Sequence, residues 1–161
     1  MAKRNPGGTP ATVALTRARI DFTLHPYEHH DDATSFGDEA AEALGVPKTQ
    51  IFKTLVADVS GELVVAVVAV AQRLDLKALA SAVGSKKAAM ADPVAAARSS
   101  GYVVGGISPI GQRTPLRTVI DQSATGFDTI MVSAGRRGLQ VELKPADLAR
   151  VTEGRFAPIA H

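Results

Sequence analysis

A mixed α/β fold, built mostly on antiparallel strands, is predicted by three features of the chain. Strand-like runs follow one another directly at Ile51 to Val59 and Glu62 to Ala69, joined only by Ser60-Gly61, the two-residue spacing of a hairpin. Helical stretches with their own start and stop residues interrupt the strands at irregular intervals, which argues against a doubly wound sheet. The chain has 161 residues, 45% of them apolar, enough to bury one core, and no repeat or linker divides it. The expectation is a single domain over residues 1–161, with about seven strands in a mixed, largely antiparallel sheet or partly open barrel and short helices around it.

Each element has a local reason. Thr9 is placed to cap a helix with Pro10 at its first position, where a missing N–H costs nothing. Phe22 to Glu28 alternates like a strand, and Pro26 confines it to an edge or a bend. On that strand His25, Tyr27 and His29 share a face. A polar loop from Asp31 to Phe36 precedes a helix over Asp38 to Leu44, acidic in its first turn and stopped by Gly45. Glu62 to Ala69 is apolar on both faces and therefore belongs in the middle of a sheet. Asp75 to Val83 is a helix closed by Gly84, and Asp92 caps another over Pro93 to Ser99, closed by Gly101. Lys86 to Met90 between them reads as a short edge strand. Further strands are predicted at Arg117 to Ile120, Thr129 to Ser133 and Leu139 to Leu143, then a helix from Pro145 to about Val151 and a last strand at Phe156 to Ile159.

Composition removes several function classes. No cysteine is present, so disulfides, thiolate metal sites and a cysteine nucleophile are out. The basic start Lys3-Arg4 has no apolar segment behind it and does not read as a secretory signal. The longest apolar run, Leu63 to Ala71, is far short of the roughly 20 residues that span a bilayer. A cytoplasmic protein without membrane contact is expected. Net charge is +2, but the pairs Lys3-Arg4, Lys86-Lys87, Arg113 with Arg117, and Arg136-Arg137 form a phosphate footprint if the fold gathers them and an ordinary solvated surface if it does not.

Chemistry concentrates in two places. Gly105-Gly106-Ile107-Ser108-Pro109-Ile110-Gly111 is too rich in glycine, serine and proline for core packing. It is either a wide turn or a bed of backbone N–H donors for a carbonyl, carboxylate or phosphate. Lys53 stands in Ile51-Phe52-Lys53-Thr54-Leu55 with apolar same-face neighbours, so its ammonium either snorkels past the strand edge or points into a cleft that holds an anion. His25, His29, His30, Asp31 and Asp32 resemble a metal-ligand list, but Pro26 breaks their register and His29-His30 point in opposite directions, so no metal is expected. Neither a G-x-S-x-G elbow, a Walker loop nor a dinucleotide fingerprint occurs, so no activated serine and no cofactor is implied.

The glycine stretch resembles the GG-[IV]-SP-x-G signature of the YbaK/EbsC family, the free-standing Cys-tRNA(Pro) deacylases related to the editing domain inserted in bacterial prolyl-tRNA synthetases. Phe36 to Ala41, Phe52 to Leu55, Met90-Ala91-Asp92, Gly101-Tyr102, Thr118 to Asp121 and Val132 to Leu139 follow in the family order, so the resemblance covers nearly the whole chain. Ala134 stands where the family more usually has glycine. The resemblance implies hydrolysis of the ester joining a mischarged amino acid to tRNA, without a cofactor. Lys53 matches the family's essential lysine. Tyr27, Phe36, Thr54, Gly105, Gly106, Ser108, Pro109 and Ser133 match its pocket positions, and Ile107 and Gly135 lie inside the same motifs. The family mechanism uses the substrate's own thiol as nucleophile. The implied partners are the tRNA(Pro) acceptor end and prolyl-tRNA synthetase. Deacylation of Ala-tRNA(Pro) or other small aminoacyl groups is the alternative within the enzyme class; a non-catalytic module that binds tRNA or a synthetase is the alternative outside it.

Overall fold

The structure is a computed structural model that describes residues 8–32 and 35–161. Lys3-Arg4 and the middle of the loop before Phe36 lie outside the described residues. Along the chain run α1 (Pro10–Arg17), β1 (Thr23–Pro26), α2 (Phe36–Leu44), β2 (Phe52–Val59), β3 (Glu62–Ala69), α3 (Leu76–Ala82) and β4 (Ala89–Met90). They are followed by α4 (Pro93–Ser100), β5 (Arg117–Asp121), a 3-10 turn (Gln122–Gly126), β6 (Ile130–Arg136), β7 (Leu139–Leu143), α5 (Pro145–Thr152) and β8 (Arg155–Ala157).

The eight strands form two sheets, β1-β7-β6 and β4-β2-β3-β5-β8. Pairing is mostly antiparallel, with β3–β5 and β5–β8 the parallel exceptions. The long crossover through α3, β4 and α4 is what a parallel β3–β5 pair requires. Among the described residues one bridge joins the sheets, Ile51 to Met131, where the Met131 N–H donates to the Gln50 carbonyl at 3.1 Å. No closed barrel forms among the described residues.

Local signals account for the ends of most elements. Thr9 Oγ1 accepts from the Thr12 N–H, Asp75 from Ala78 and Asp92 from Ala95. At Ser60 and Gly61 φ is +54° and +92°, the left-handed pair of a tight hairpin turn. β1 lies at a sheet edge, as Pro26 demands, and β3 lies third of five, as its two apolar faces require. Several boundaries differ: β1 shortens to Thr23–Pro26 and the last strand falls at Arg155–Ala157, ahead of the predicted Phe156 to Ile159. α2 begins at Phe36 because Ser35 Oγ caps it at the Asp38 N–H; β4 shrinks to two residues; and β6 continues past Ser133 through a bulge to Arg136.

The main core lies between the sheets, with Phe52, Val65 and Val67 of β2 and β3 facing Ile130, Val132, Val141 and Leu143 of β6 and β7. A second layer packs α3 on the opposite face of β3. Ala40, Ala41, Ile51 and Met131 form a small third cluster that seats α2 at the junction of the sheets. Among the described residues no helix is long and apolar enough to cross a membrane.

Candidate active site

Among the described residues β2 is paired on its outer side only at its two ends, by the Ile51–Met131 bridge and by β4 at Ala57 and Asp58. The Gln50 carbonyl accepts from Met131 just before the strand, and the Val56 carbonyl accepts from the Ala91 N–H at 3.0 Å. Peptide groups alternate in direction along a strand, so the N–H and C=O of Thr54 face the same open edge as the Val56 carbonyl. No strand pairs with them among the described residues. A cleft of about 370 Å³ runs along this gap, closed by the start of α2, by β4 and the start of α4, and by the glycine segment.

Because the cleft follows an edge, both faces of β2 reach it. Lys53 and Leu55 come from one face and Thr54 from the other. Lys53 is half-buried and has no ion pair among the described residues; burial lowers its pKa, the Asp38 carboxylate opposes that shift, and Arg73 adds to it. Thr54 Oγ1 is buried with no hydrogen-bond partner, and so is Oε1 of Gln140, which reaches the cleft from β7. Buried polar atoms are rarely left unpaired. Two of them belong to side chains that line this one cleft.

Phe36 forms one wall. An added Cβ at Gly105, whose φ is +87°, would lie 2.7 Å from its ring, so only glycine lets the loop close on it. Arg137 sits over the same ring at 5.0 Å and donates from Nε to the Val104 carbonyl at 2.9 Å. The His29 ring lies 5.9 Å away. The structure thus brings Phe36, Lys53, Thr54, Gly105 and Ile107 into one cleft, together with Gln140, which sequence reasoning missed.

The remaining sequence candidates lie elsewhere. Ser108 and Pro109 are buried beneath the loop, and Ser108 Oγ accepts from the Ile110 N–H at 3.2 Å. The Gly106 N–H donates to the Val103 carbonyl. Two of the segment's donors are therefore already used inside the protein. Gly106 lies against Arg136, where a Cβ would come within 2.8 Å of backbone, and Gly135 lies against Tyr102 and Thr9. Ser133 Oγ accepts from the Gly135 N–H at the bulge. Tyr27 packs beside the Ile51–Met131 cluster and lines a neighbouring groove with Ser35. The histidines go to separate carboxylates, His25 to Glu142 at 2.8 Å and His29 to Glu39 at 2.7 Å. Hydrogen bonds from Thr129 and His25 hold Glu142 below the usual carboxylate range. Burial pushes Glu39 upward, but hydrogen bonds from His29 and the His30 N–H outweigh it.

An amine beside unpaired peptide and hydroxyl groups, in a small and largely apolar cleft, is suited to a short acyl ester. No histidine lines the cleft among the described residues, and Thr54 has no base to activate it. Residues 30–151 match the family model for the aminoacyl-tRNA editing domain, and the chain belongs to that family. It is 41% identical, over 98% of its length and 96% of the relative's, to the Enterococcus faecalis protein named "Putative Cys-tRNA(Pro)/Cys-tRNA(Cys) deacylase EbsC". It is 30% identical to the Escherichia coli K12 multifunctional Ser/Thr-tRNA deacylase ProXp-y, over 95% of the chain and 92% of that protein. A solved structure named "Crystal structure of a putative trans-editing enzyme for prolyl tRNA synthetase" superposes with a TM-score of 0.84 at 25% identity, covering 99% of each chain.

Proposed function

We propose that the chain, acting as one unit over residues 1–161 in the cytoplasm, edits mischarged tRNA in trans by cleaving the ester of Cys-tRNA(Pro) in the β2 cleft. The observation that carries this reading is Lys53 beside an unpaired stretch of β2, in a cleft that holds no activated nucleophile. The Lys53 ammonium and the Thr54 N–H orient the terminal aminoacyl-ribose. The substrate thiol attacks the ester carbonyl: a sulfur–carbon bond forms, the carbon–oxygen bond to the ribose breaks, and the thiol proton ends on the ribose hydroxyl. The released thiolactone is opened by water. Holding thiol and carbonyl together supplies effective molarity, and fixed donors stabilise the oxyanion. The likeness to the solved trans-editing enzyme supports docking on prolyl-tRNA synthetase.

A second reading, deacylation of Ser-, Ala- or Thr-charged tRNA, is favoured by the E. coli relative. Side-by-side hydrolysis of Cys-, Ala- and Ser-tRNA(Pro) separates the two. Fast release of cysteine alone is expected. Equal release of serine or alanine refutes a thiol-dependent reaction.

A further inference from the structure

Three depressions adjoin one another through shared lining residues. The cleft shares Ser35 with a groove of about 930 Å³ lined by Glu28, Asp32, Asp38, Glu39 and Glu42. On its other side it shares Met90 and Ala91 with a groove of about 710 Å³ that carries Lys77, Lys86 and Lys87. Asp58 and Asp92 also line the lysine groove, each held by a backbone N–H, from Gly61 at 2.8 Å and Ala95 at 3.3 Å, so the three lysines outnumber the carboxylates and leave the groove a net positive charge. None of the three lysines has an ion pair among the described residues. In the acidic groove Asp38 and Glu42 pair with Lys48, Glu39 with His29 and Glu28 with His30, so the uncompensated charge nearest the cleft is that of the lysines, which attract a polyanion to their side.

The second observation is apolar. Large apolar side chains are exposed at five described positions, and four of them are lining residues of the cleft or their chain neighbours: Met90 at 50%, Val94 at 62%, Val103 at 57% and Val104 at 43%. Met90 and Val104 line the cleft itself, and Val94 and Val103 adjoin the lining residues Pro93 and Val104. Scattered exposed valines need no explanation, whereas a gathered set does. An apolar rim backed by unpaired cations matches an unpaired nucleic-acid strand, whose base faces are apolar and whose phosphates are anionic.

We propose that the last unpaired nucleotides of an RNA 3′ end rest on this rim with their phosphates in the Lys77–Lys86–Lys87 groove, so that the strand enters the cleft from the β4–α4 side. The assignment rests on the deacylase reading for the identity of the RNA, but its geometry is independent of the chemistry. The test uses Lys86→Ala/Lys87→Ala and Val94→Ser/Val103→Ser, singly as pairs and combined, at exposed positions outside the cleft. For the combined variant KM for Cys-tRNA rises about tenfold or more, kcat stays within twofold, and hydrolysis of cysteinyl-adenosine, which lacks the preceding nucleotides, is unchanged. The salt dependence of KM becomes shallower in the lysine pair. An unchanged KM in an active enzyme overturns the proposal and leaves the deacylase reading standing. If the wild-type protein deacylates nothing, that reading falls, and fluorescence anisotropy with an uncharged oligoribonucleotide ending in CCA decides the surface: weaker binding by the combined variant supports it, equal binding overturns it. Equal RNA binding together with lost binding to prolyl-tRNA synthetase assigns the rim to a protein and likewise overturns the proposal.

Discussion

The two sides of the glycine segment use neighbouring residues for opposite purposes. Gly105 and Ile107 face the cleft, while Gly106, Ser108, Pro109 and Ile110 turn inward and anchor the loop to the β6–β7 turn and to Tyr102. A shaped loop needs a lining that meets ligand and a backing that holds the lining still. Changes to the lining should therefore alter rate without stability, and changes to the backing should alter stability without rate.

The largest expected contrast is Lys53→Ala. Lys53 is half-buried and has no ion pair among the described residues, so its loss should move Tm by little while deacylation falls by about a hundredfold or more. Deacylation of Cys-tRNA(Pro) alongside a thermal melt measures both, and retained turnover removes the lysine from the site. Gly106→Ala is the converse. Its Cβ would meet Arg136 Cα at 2.8 Å and the Arg137 nitrogen at 2.9 Å, and backbone cannot step aside as a flexible side chain can. A loss of about 2–3 kcal/mol is expected, lowering Tm by roughly 5–10 °C, with turnover per folded molecule retained well below the melt. Activity lost from a protein that melts normally would erase the division between lining and backing.

Tyr102 extends the backing into a pH dependence. Its hydroxyl donates to the Ile110 carbonyl at 2.7 Å, and burial pushes its pKa up to about 12, against a smaller pull from the Ala11 backbone. A phenol whose folded pKa lies above its unfolded value of about 10 favours the neutral form in the native state. Its contribution is complete below about pH 10 and is lost as pH rises through about 12. Tyr102→Phe should cost about 1–2 kcal/mol at neutral pH and flatten the alkaline fall in stability; urea melts at about pH 8 and about pH 11, on either side of the unfolded phenol's pKa, test this.

The same contrast explains what could be read from the chain alone. Elements with local causes were legible: the Ser60-Gly61 hairpin, the caps at Thr9, Asp75 and Asp92, and the central place of β3 follow from turn chemistry and from which faces are apolar. The division into two sheets was not, because the β1–β7 pairing and the Ile51–Met131 bridge join residues remote in sequence. Lys53, Thr54 and Gly105 meet in the cleft because one strand edge and one loop carry them. Gln140 escaped notice because Leu-Gln-Val-Glu-Leu alternates like a strand with a solvated face, and only the third dimension places that glutamine in the cleft. Tyr27, Ser133 and Gly135 occupy motif positions, yet their contacts lie in other packing layers. A motif records which residues occur together, and tertiary structure decides which face ligand.

The smallest predicted effect tests the electrostatics of the lining. Burial lowers the Lys53 pKa, and Asp38 is the carboxylate that opposes this. If the ammonium orients substrate, deacylation is constant while Lys53 is protonated and falls as pH rises through its pKa, below the usual lysine range. Lys53→Arg, which does not titrate there, should lose that alkaline limb. Asp38→Asn removes the opposing charge and should move the limb further toward neutral pH, leaving the rate on its acid side unchanged. The Ser35 hydroxyl also hydrogen-bonds the Asp38 carboxylate, but the cap itself survives, because Ser35 Oγ accepts from the backbone N–H of residue 38, which the substitution leaves in place. The ion pair from Asp38 to Lys48 at 3.2 Å is lost, but both partners are exposed and contribute little to stability. A limb that stays in place in Asp38→Asn would show that the titrating group is not Lys53, and would leave this amine to act through its shape and hydrogen bonds alone.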